Sequence, residues 1–387
     1  MKKIWNFLTD HKGEYCFILA FLLLTFGKAL GLCSSDKIYK LMFAVSLLLI
    51  GIKILYGKYE RKDFLVMGIV VGLAGMVYLR SGETTFLFSV LLLCGAKDVD
   101  LQKLLKLALP VWLSGIILTV VLAAVGIKES TVIPYYAAEN LSDYVTETFV
   151  VREYSSYGYG HPNYLFGICL ISCMLYLFVR YQVLKWYDLL LTGLPMLVVF
   201  KLTFCRTGLV LFCLTWLLIA WSKFWERKEK PAAMLPFFLV VPAVLFCTLV
   251  LPRFYDSENS VMAVINGIFT GRIQLLVSWL NAFPVTLFGQ YCTGVEGFLD
   301  SLYPSLLLKG GVVSLLFYVG LFLLIQYQCW KERDWRSLVM LSVMIVYGVM
   351  EEGPANVILN PFLLVLFYRN RCLGGKDGAK AKDSPCS

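Results

Sequence analysis

Apolar runs of roughly 19 residues recur along almost the whole chain, separated by short polar segments, and most are long enough to cross a hydrocarbon core of ~30 Å as a helix. They fall near 15–33, 38–57, 64–80, 84–97, 104–127, 163–181, 186–205, 207–224, 233–252, 306–328, 336–350 and 355–369. The pattern predicts an all-α polytopic membrane protein of about 12 transmembrane helices with a large extracytoplasmic loop. The run TTFLFSVLLLCGA is shorter than the usual span, but omitting it would invert every later loop and put KFWERKEK outside.

With the N-terminus inside, the inner loops are MKK, KYERKD, KDVDLQKLLK, RYQVLK, KFWERKEK, KERDWR and the tail RNRCLGGKDGAKAK. Counting Lys12, they hold about two thirds of the 35 basic residues, so both termini are expected in the cytoplasm. The organisation is then helices 1 to 5 in 1–127, an extracytoplasmic loop at 128–162 and helices 6 to 9 in 163–252. A large extracytoplasmic loop follows at 253–305, then helices 10 to 12 in 306–369 and a basic cytoplasmic tail at 370–387. The first segment follows Lys2, Lys3 and Lys12 without a small-x-small cleavage site and reads as a retained helix. In the second long loop, Arg272, Leu275, Leu276, Trp279, Leu280 and Phe283 recur at helical spacing over too short a stretch to cross, which predicts an interfacial helix. Chemistry is to be sought on the outer face, where the long loops are.

Composition strengthens the membrane reading: of 387 residues 59% are hydrophobic and 16% charged, where a soluble domain is roughly half and a quarter. Mean hydropathy is +0.73. The net charge of +9 is not gathered on a basic face interleaved with stacking aromatics, so nucleic-acid binding is set aside. The twelve cysteines are scattered, with no CxxC pair, and predict neither a disulfide framework nor a zinc site. No HExxH, Walker loop or GxSxG occurs, which argues against a metalloprotease, an ATPase and a serine hydrolase.

The run from Leu189 to Ser222 would be about 50 Å long as one helix, so it must break, and TFCRTG is the natural place. That puts Arg206 at the outer lip, followed by Gly208, where backbone or ligand can approach closely. An arginine there is used or paired, or it is a headgroup anchor that snorkels. The segment YGYGHPN holds one of only two histidines. His161 is either a turn residue ahead of Pro162, with Asn163 capping the next helix, or a catalytic group. Tyr135, Tyr136, Tyr154 and Tyr164 nearby form either an interfacial belt or a sugar-stacking surface. Outer-face carboxylates are Glu83, Asp256, Glu258, Glu296, Asp300, Glu351 and Glu352, with Arg80, Arg152, Arg206, Arg253 and Arg272 among them. Guanidinium forks grip phosphate oxygens, and a hydroxyl nucleophile needs a carboxylate or imidazole to take its proton. Such a face suits a diphosphate leaving group.

HPN at 161–163, CRTG at 205–208, GR at 271–272 followed by an apolar Trp-containing helix, and DSLYPSLLLKGG at 300–311 resemble the ordered motifs of the O-antigen polymerase and ligase family. The resemblance covers roughly the second half of the chain, the first five spans being similar in hydropathy alone. FGQ at 288–290 departs from the Gly-rich turn of many members. The resemblance implies work on the outer face of the bacterial cytoplasmic membrane on undecaprenyl-pyrophosphate-linked oligosaccharides. It implies no nucleotide sugar and no required metal, with a flippase and a chain-length regulator as partners beside membrane lipid. It also implies that Arg206 and Arg272 engage the pyrophosphate. Family ligases open the last motif with His; here Asp300 takes that position, with Ser301, Tyr303 and Gly311 at the matching offsets, which favours a polymerase.

The expected reaction is attack of an acceptor hydroxyl on the anomeric carbon, with inversion. Arg206 and Arg272 hold the departing pyrophosphate with Arg80 or Arg152 assisting, Asp300, His161 or Glu296 takes the proton, and Asn163 and Tyr303 contribute to substrate binding. The alternatives are a ligase of the same fold and a transporter of lipid-linked sugars; for the latter, Lys28, Lys53 and Asp188 are the only near-midspan charges.

Overall fold

A computed structural model describes residues 12–137, 150–256, 258–269, 271–295 and 297–368. Five helices come first: α1 (Lys12–Ala29), α2 (Lys37–Tyr56), α3 (Arg61–Ser81), α4 (Thr84–Gly95) and α5 (Leu101–Ala124). A hairpin of β1 (Val132–Ala137) and β2 (Val150–Ser155) follows, then α6 (Pro162–Arg180), α7 (Trp186–Thr203), α8 (Arg206–Arg227) and α9 (Pro231–Phe254). Beyond α9 come α10 (Ser260–Ile268), α11 (Arg272–Ala282), α12 (Leu302–Leu308), α13 (Gly311–Lys331), α14 (Trp335–Tyr347) and the short α15 (Val365–Tyr368). Among the described residues eight helices are long and apolar enough to cross a membrane, and α4 and α14 are shorter apolar helices. The chain is an α-helical, multi-pass membrane protein.

Connectivity gathers the loops at two ends. At one end Asp100 N donates to Glu14, Lys97 pairs with Asp63, and Tyr59 OH donates to Cys94 O at 2.9 Å. The same end carries Lys223 beside Gln182 and Arg336 over the Phe178 ring. At the other, Tyr159 OH donates to Ala29 O, Tyr164 OH to Lys28 O, and Lys309 pairs with Glu352. Among the described residues, the basic loops at 57–62, 97–103 and 180–185 lie at the first end, and the segments around 30, 159–164 and 309 at the second. The short α4 is buried through Phe86, Ser89, Val90, Leu92 and Leu93 and, at 12 residues, is shorter than the eight helices that could each cross a membrane.

Three local departures have physical causes. The run expected as a twelfth helix at 355–369 folds instead as 3-10 turns at Gly353–Ala355 and Pro361–Leu364 before α15. Pro354 and Pro361 lack the N–H a helix needs, and asparagine side chains compete for the backbone: Asn360 Nδ2 donates to Pro354 O, and Asn356 Oδ1 accepts from Ile358 N. Its free carbonyls are met from inside, since Ser89 Oγ and Tyr318 OH both donate to Ala355 O at 2.8 Å. Val357, Phe362, Leu363 and Val365 are fully enclosed, the condition under which irregular backbone survives at membrane depth. The run at 306–328 splits into α12 and α13 at Gly311 (φ +76°), where a β-carbon would collide with the backbone of Gly289 and Leu287. Likewise α9 mixes 3-10, α and π turns because Pro231, Pro236, Pro242 and Pro252 interrupt its ladder.

The all-α class holds, with one two-stranded element inside it. Within the loop expected at 128–162 lies the antiparallel hairpin, paired from Val132 with Ser155 to Ala137 with Val150. Its β-branched and aromatic residues, VIPYYA and VVREYS, favour a pleated ladder. The expected interfacial helix is present as α11, but its Ile273, Leu276 and Trp279 are buried, and Leu276 and Trp279 pack with Leu299 and Leu308 of the protein itself.

Candidate functional site

Three helix N-termini converge at the second end of the molecule. His161 caps α6 in extended conformation (φ −150°, ψ 143°), and its Nδ1 accepts from Asn163 N at 3.1 Å, with Pro162 in the first turn. The cap is therefore His161, not Asn163. With Nδ1 accepting, a neutral imidazole carries its proton on Nε2. The long apolar run breaks where expected: α7 ends at Thr203, Phe204 turns the chain at φ 51°, ψ 31°, and Arg206 opens α8. A phenylalanine in the left-handed region is strained, and its ring is held by stacking on Tyr154 at 5.3 Å and 3° and by the Arg206 guanidinium at 5.0 Å. Gly208 next to it lets α8 close on α6, where a β-carbon would strike the Phe166 ring. The third terminus is that of α11: Gly271 (φ +78°) turns the chain and Asn266 accepts from Gln274 N, so Arg272 faces the same space.

These termini, with Arg206, Arg272, Asp300, Phe298 and the Ile133–Pro134 edge of the hairpin, enclose a cavity of about 310 Å³. Each helix start carries about half a positive charge, and together with two guanidiniums the three favour an anion in this space. Arg272 Nη2 lies 3.5 Å from Asp300 Oδ2 and 3.9 Å from Glu351 Oε1. Asp300 is held beside Glu351 by backbone: Leu302 N donates to Gly348 O at 2.8 Å, and Tyr303 OH donates to Ile345 O at 2.7 Å. Partial burial raises the Asp300 carboxyl above the usual aspartate range, with Arg272 and His161 opposing. Burial lowers the His161 imidazole, which Asp300 partly offsets. Glu351 is pushed up to about 7, first by burial, against the pull of Arg272 and the Asn163 amide that hydrogen-bonds it.

His161, Asn163, Arg206, Arg272 and Asp300 thus come together around one cavity. Arg80 does not join them: it stands exposed near the end of α3 and lines neither this cavity nor its neighbour. Tyr303 is fully buried, with its hydroxyl committed to a backbone carbonyl, which makes it a packing residue and corrects its assignment to substrate binding. The side chain of Arg152 and the whole of Glu296 lie outside the described residues. Sequence reasoning placed Glu351 and Glu352 on the outer face without assigning them to the site. The acidic pair interrupting two apolar runs was the available signal. Among the described residues no three His, Cys, Asp or Glu side chains gather as a metal site.

Compared with known protein families, curated proteins and solved structures, the chain matches none.

Proposed function

We propose that this protein is a glycosyltransferase that polymerises undecaprenyl-pyrophosphate-linked oligosaccharide units into a cell-surface polysaccharide on the outer face of the bacterial cytoplasmic membrane. The observation that carries the reading is the anion cavity: three helix N-termini and two arginines around one space, next to carboxylates whose proton affinity burial raises. A diphosphate departing from a sugar needs that neutralisation, and the attacking hydroxyl needs a base within reach. In this reading Arg206 and Arg272 hold the diphosphate, and the positive ends of the helices that begin at Pro162, Arg206 and Arg272 add to the field that favours it. Phe204 and Tyr154, stacked at the cavity wall, offer a face for the donor sugar.

The basic loops favour an orientation with the end bearing Lys97, Lys103, Lys223 and Arg336 in the cytoplasm. The topology we infer has twelve crossings, both termini inside and the cavity outside, with the irregular segment at 353–368 serving as the last crossing. A flippase would deliver the substrate and a chain-length regulator would set the product.

The test is incubation of the purified protein in liposomes with one lipid-linked repeat unit from the source strain. A ladder of lipid-linked multiples is expected; a single transfer to another acceptor would instead assign a ligase, and flipping of the unit without any bond formation would assign a transporter.

A further inference from the structure

Asp300 and Phe298 line a second cavity as well, of about 280 Å³, whose other walls include Tyr164, Tyr347, Lys309, Glu351 and Glu352. Its chemistry differs from that of the arginine cavity. Lys309 Nζ is already bound to Glu352 at 2.7 Å and neither Arg206 nor Arg272 lines the space, so it lacks the guanidiniums that a diphosphate calls for. Sugar hydroxyls donate well to carboxylates, and the apolar face of a pyranose packs against tyrosine rings and against Ile168, Ile171 and Met344. Glu351 sits at the junction, lining the second cavity while its Oε1 lies 3.9 Å from the arginine that lines the first.

We propose that the second cavity receives the acceptor sugar and that Glu351, rather than Asp300 or His161, takes the proton from the attacking hydroxyl. The inference rests on the polymerase reading above and adds the acceptor subsite and the base to it.

The step balances. The hydroxyl oxygen forms a bond to the anomeric carbon as the bond from that carbon to the diphosphate oxygen breaks. The electron pair leaves on the diphosphate, beside Arg206 and Arg272, and the proton ends on Glu351. The products are an extended glycan on one polyprenol and free polyprenyl diphosphate. Donor binding also prepares the base. Arg272 contacts Asp300 and Glu351 only loosely, and an arriving diphosphate draws it away, removing the cation that favours ionised Glu351.

The groups facing Glu351 come from several elements: Arg272 of α11, Asp300 ahead of α12, Asn163 of α6, Cys205 at the α7–α8 break, and Tyr347 and Glu352 of its own segment. Burial, Asp300 and Glu352 raise its proton affinity, while Arg272 and Asn163 lower it. A carboxyl near 7 is half ionised at neutral pH and strong enough to accept a proton in the transition state. Its ionised form grows as pH rises, so kcat/KM should rise through about 7 and level off above it. Because the diphosphate displaces Arg272, kcat should rise at a higher pH than kcat/KM.

The experiment compares wild type, Glu351→Gln, Glu351→Asp and Asp300→Asn in liposomes. It measures chain extension against pH and, separately, binding of undecaprenyl pyrophosphate. Glu351→Gln is expected to slow extension by about 100-fold or more while the diphosphate binds within a few-fold of wild type. Glu351→Asp should keep measurable extension with its pH midpoint displaced. Extension by Glu351→Gln at close to the wild-type rate, or a Glu351→Asp profile superimposable on wild type, overturns the inference. A collapse confined to Asp300→Asn gives the role to Asp300 and overturns it too. If Glu351→Gln does not fold, the Glu351→Asp profile decides alone. Wild-type protein that binds the lipid-linked unit and yields no ladder removes the polymerase reading itself, a result distinct from all of these.

Discussion

At the end of the molecule opposite the cavities, Asp188 is closed off from solvent and every approach to it is taken. Tyr176 OH donates to it at 2.5 Å, Arg180 Nε at 2.9 Å and Lys185 N at 2.7 Å. Across the molecule, Arg272 stands 3.5 and 3.9 Å from two carboxylates that are 42% and 29% exposed, and open space adjoins all three. The same residue types serve two ends. A short-bonded, enclosed cluster fixes a loop, whereas one with longer contacts beside open space can exchange them for contacts to a ligand. Reserve of that kind is what an active site holds before its substrate arrives.

The sharpest way to break this contrast is to remove one arginine from each cluster. Arg272→Ala and Arg206→Ala should each lower chain extension by about 10²–10³-fold, the range for deleting one preorganised charge-stabilising donor, while the protein still inserts and folds. Arg180→Ala should do the reverse, lowering the thermal midpoint by several degrees while the folded fraction extends glycan at the wild-type rate. Extension assays and thermal melts on the same preparations check both, and a full-length polymer from Arg206→Ala would refute its role.

A second, smaller effect tests how the two ends are joined. Gly208 admits the Phe166 ring, and the packing of α8 on α6 sets where Arg206 stands relative to His161 and Asn163. Gly208→Ala should destabilise by about 1–3 kcal/mol through overpacking, seen as a lower thermal midpoint, with a larger proportional loss in extension than in expression. Equal losses would mean that the contact holds the fold but does not align the site.

How much of this was legible in the sequence depends on which force sets each feature. Helix starts and breaks were readable because their causes are local: a run too long for one span had to break, and it did so at Phe204–Cys205, putting Arg206 where expected. The hairpin was not, since hydropathy windows tuned to spans give no weight to a period of two. The segment at 353–368 was misread because its apolar content reflects burial among other helices, while Pro354, Asn356, Asn360 and Pro361 dictate its turns. Glu351 was visible as a charge, but its partnership with Arg272 joins residues that only tertiary packing brings together.

Tyr303 gives the finest test. Its position within DSLYPSLLLKGG made it a substrate-binding candidate, yet the ring is fully enclosed and the hydroxyl donates to Ile345 O at 2.7 Å. That bond, with Leu302 N on Gly348 O, straps the start of α12 to the end of α14 and so carries Asp300 up to Glu351. Tyr303→Phe leaves a buried carbonyl short of a donor at a net effect of about 1 kcal/mol on stability, with the ring and its packing intact. KM for the lipid-linked unit should stay at the wild-type value, because Leu302 N on Gly348 O still holds Asp300 in place and Tyr303 lines neither cavity. A substrate-binding hydroxyl would raise KM instead, so a raised KM with an unchanged melting temperature would return Tyr303 to the site and force Asp300 and its neighbours to be placed anew.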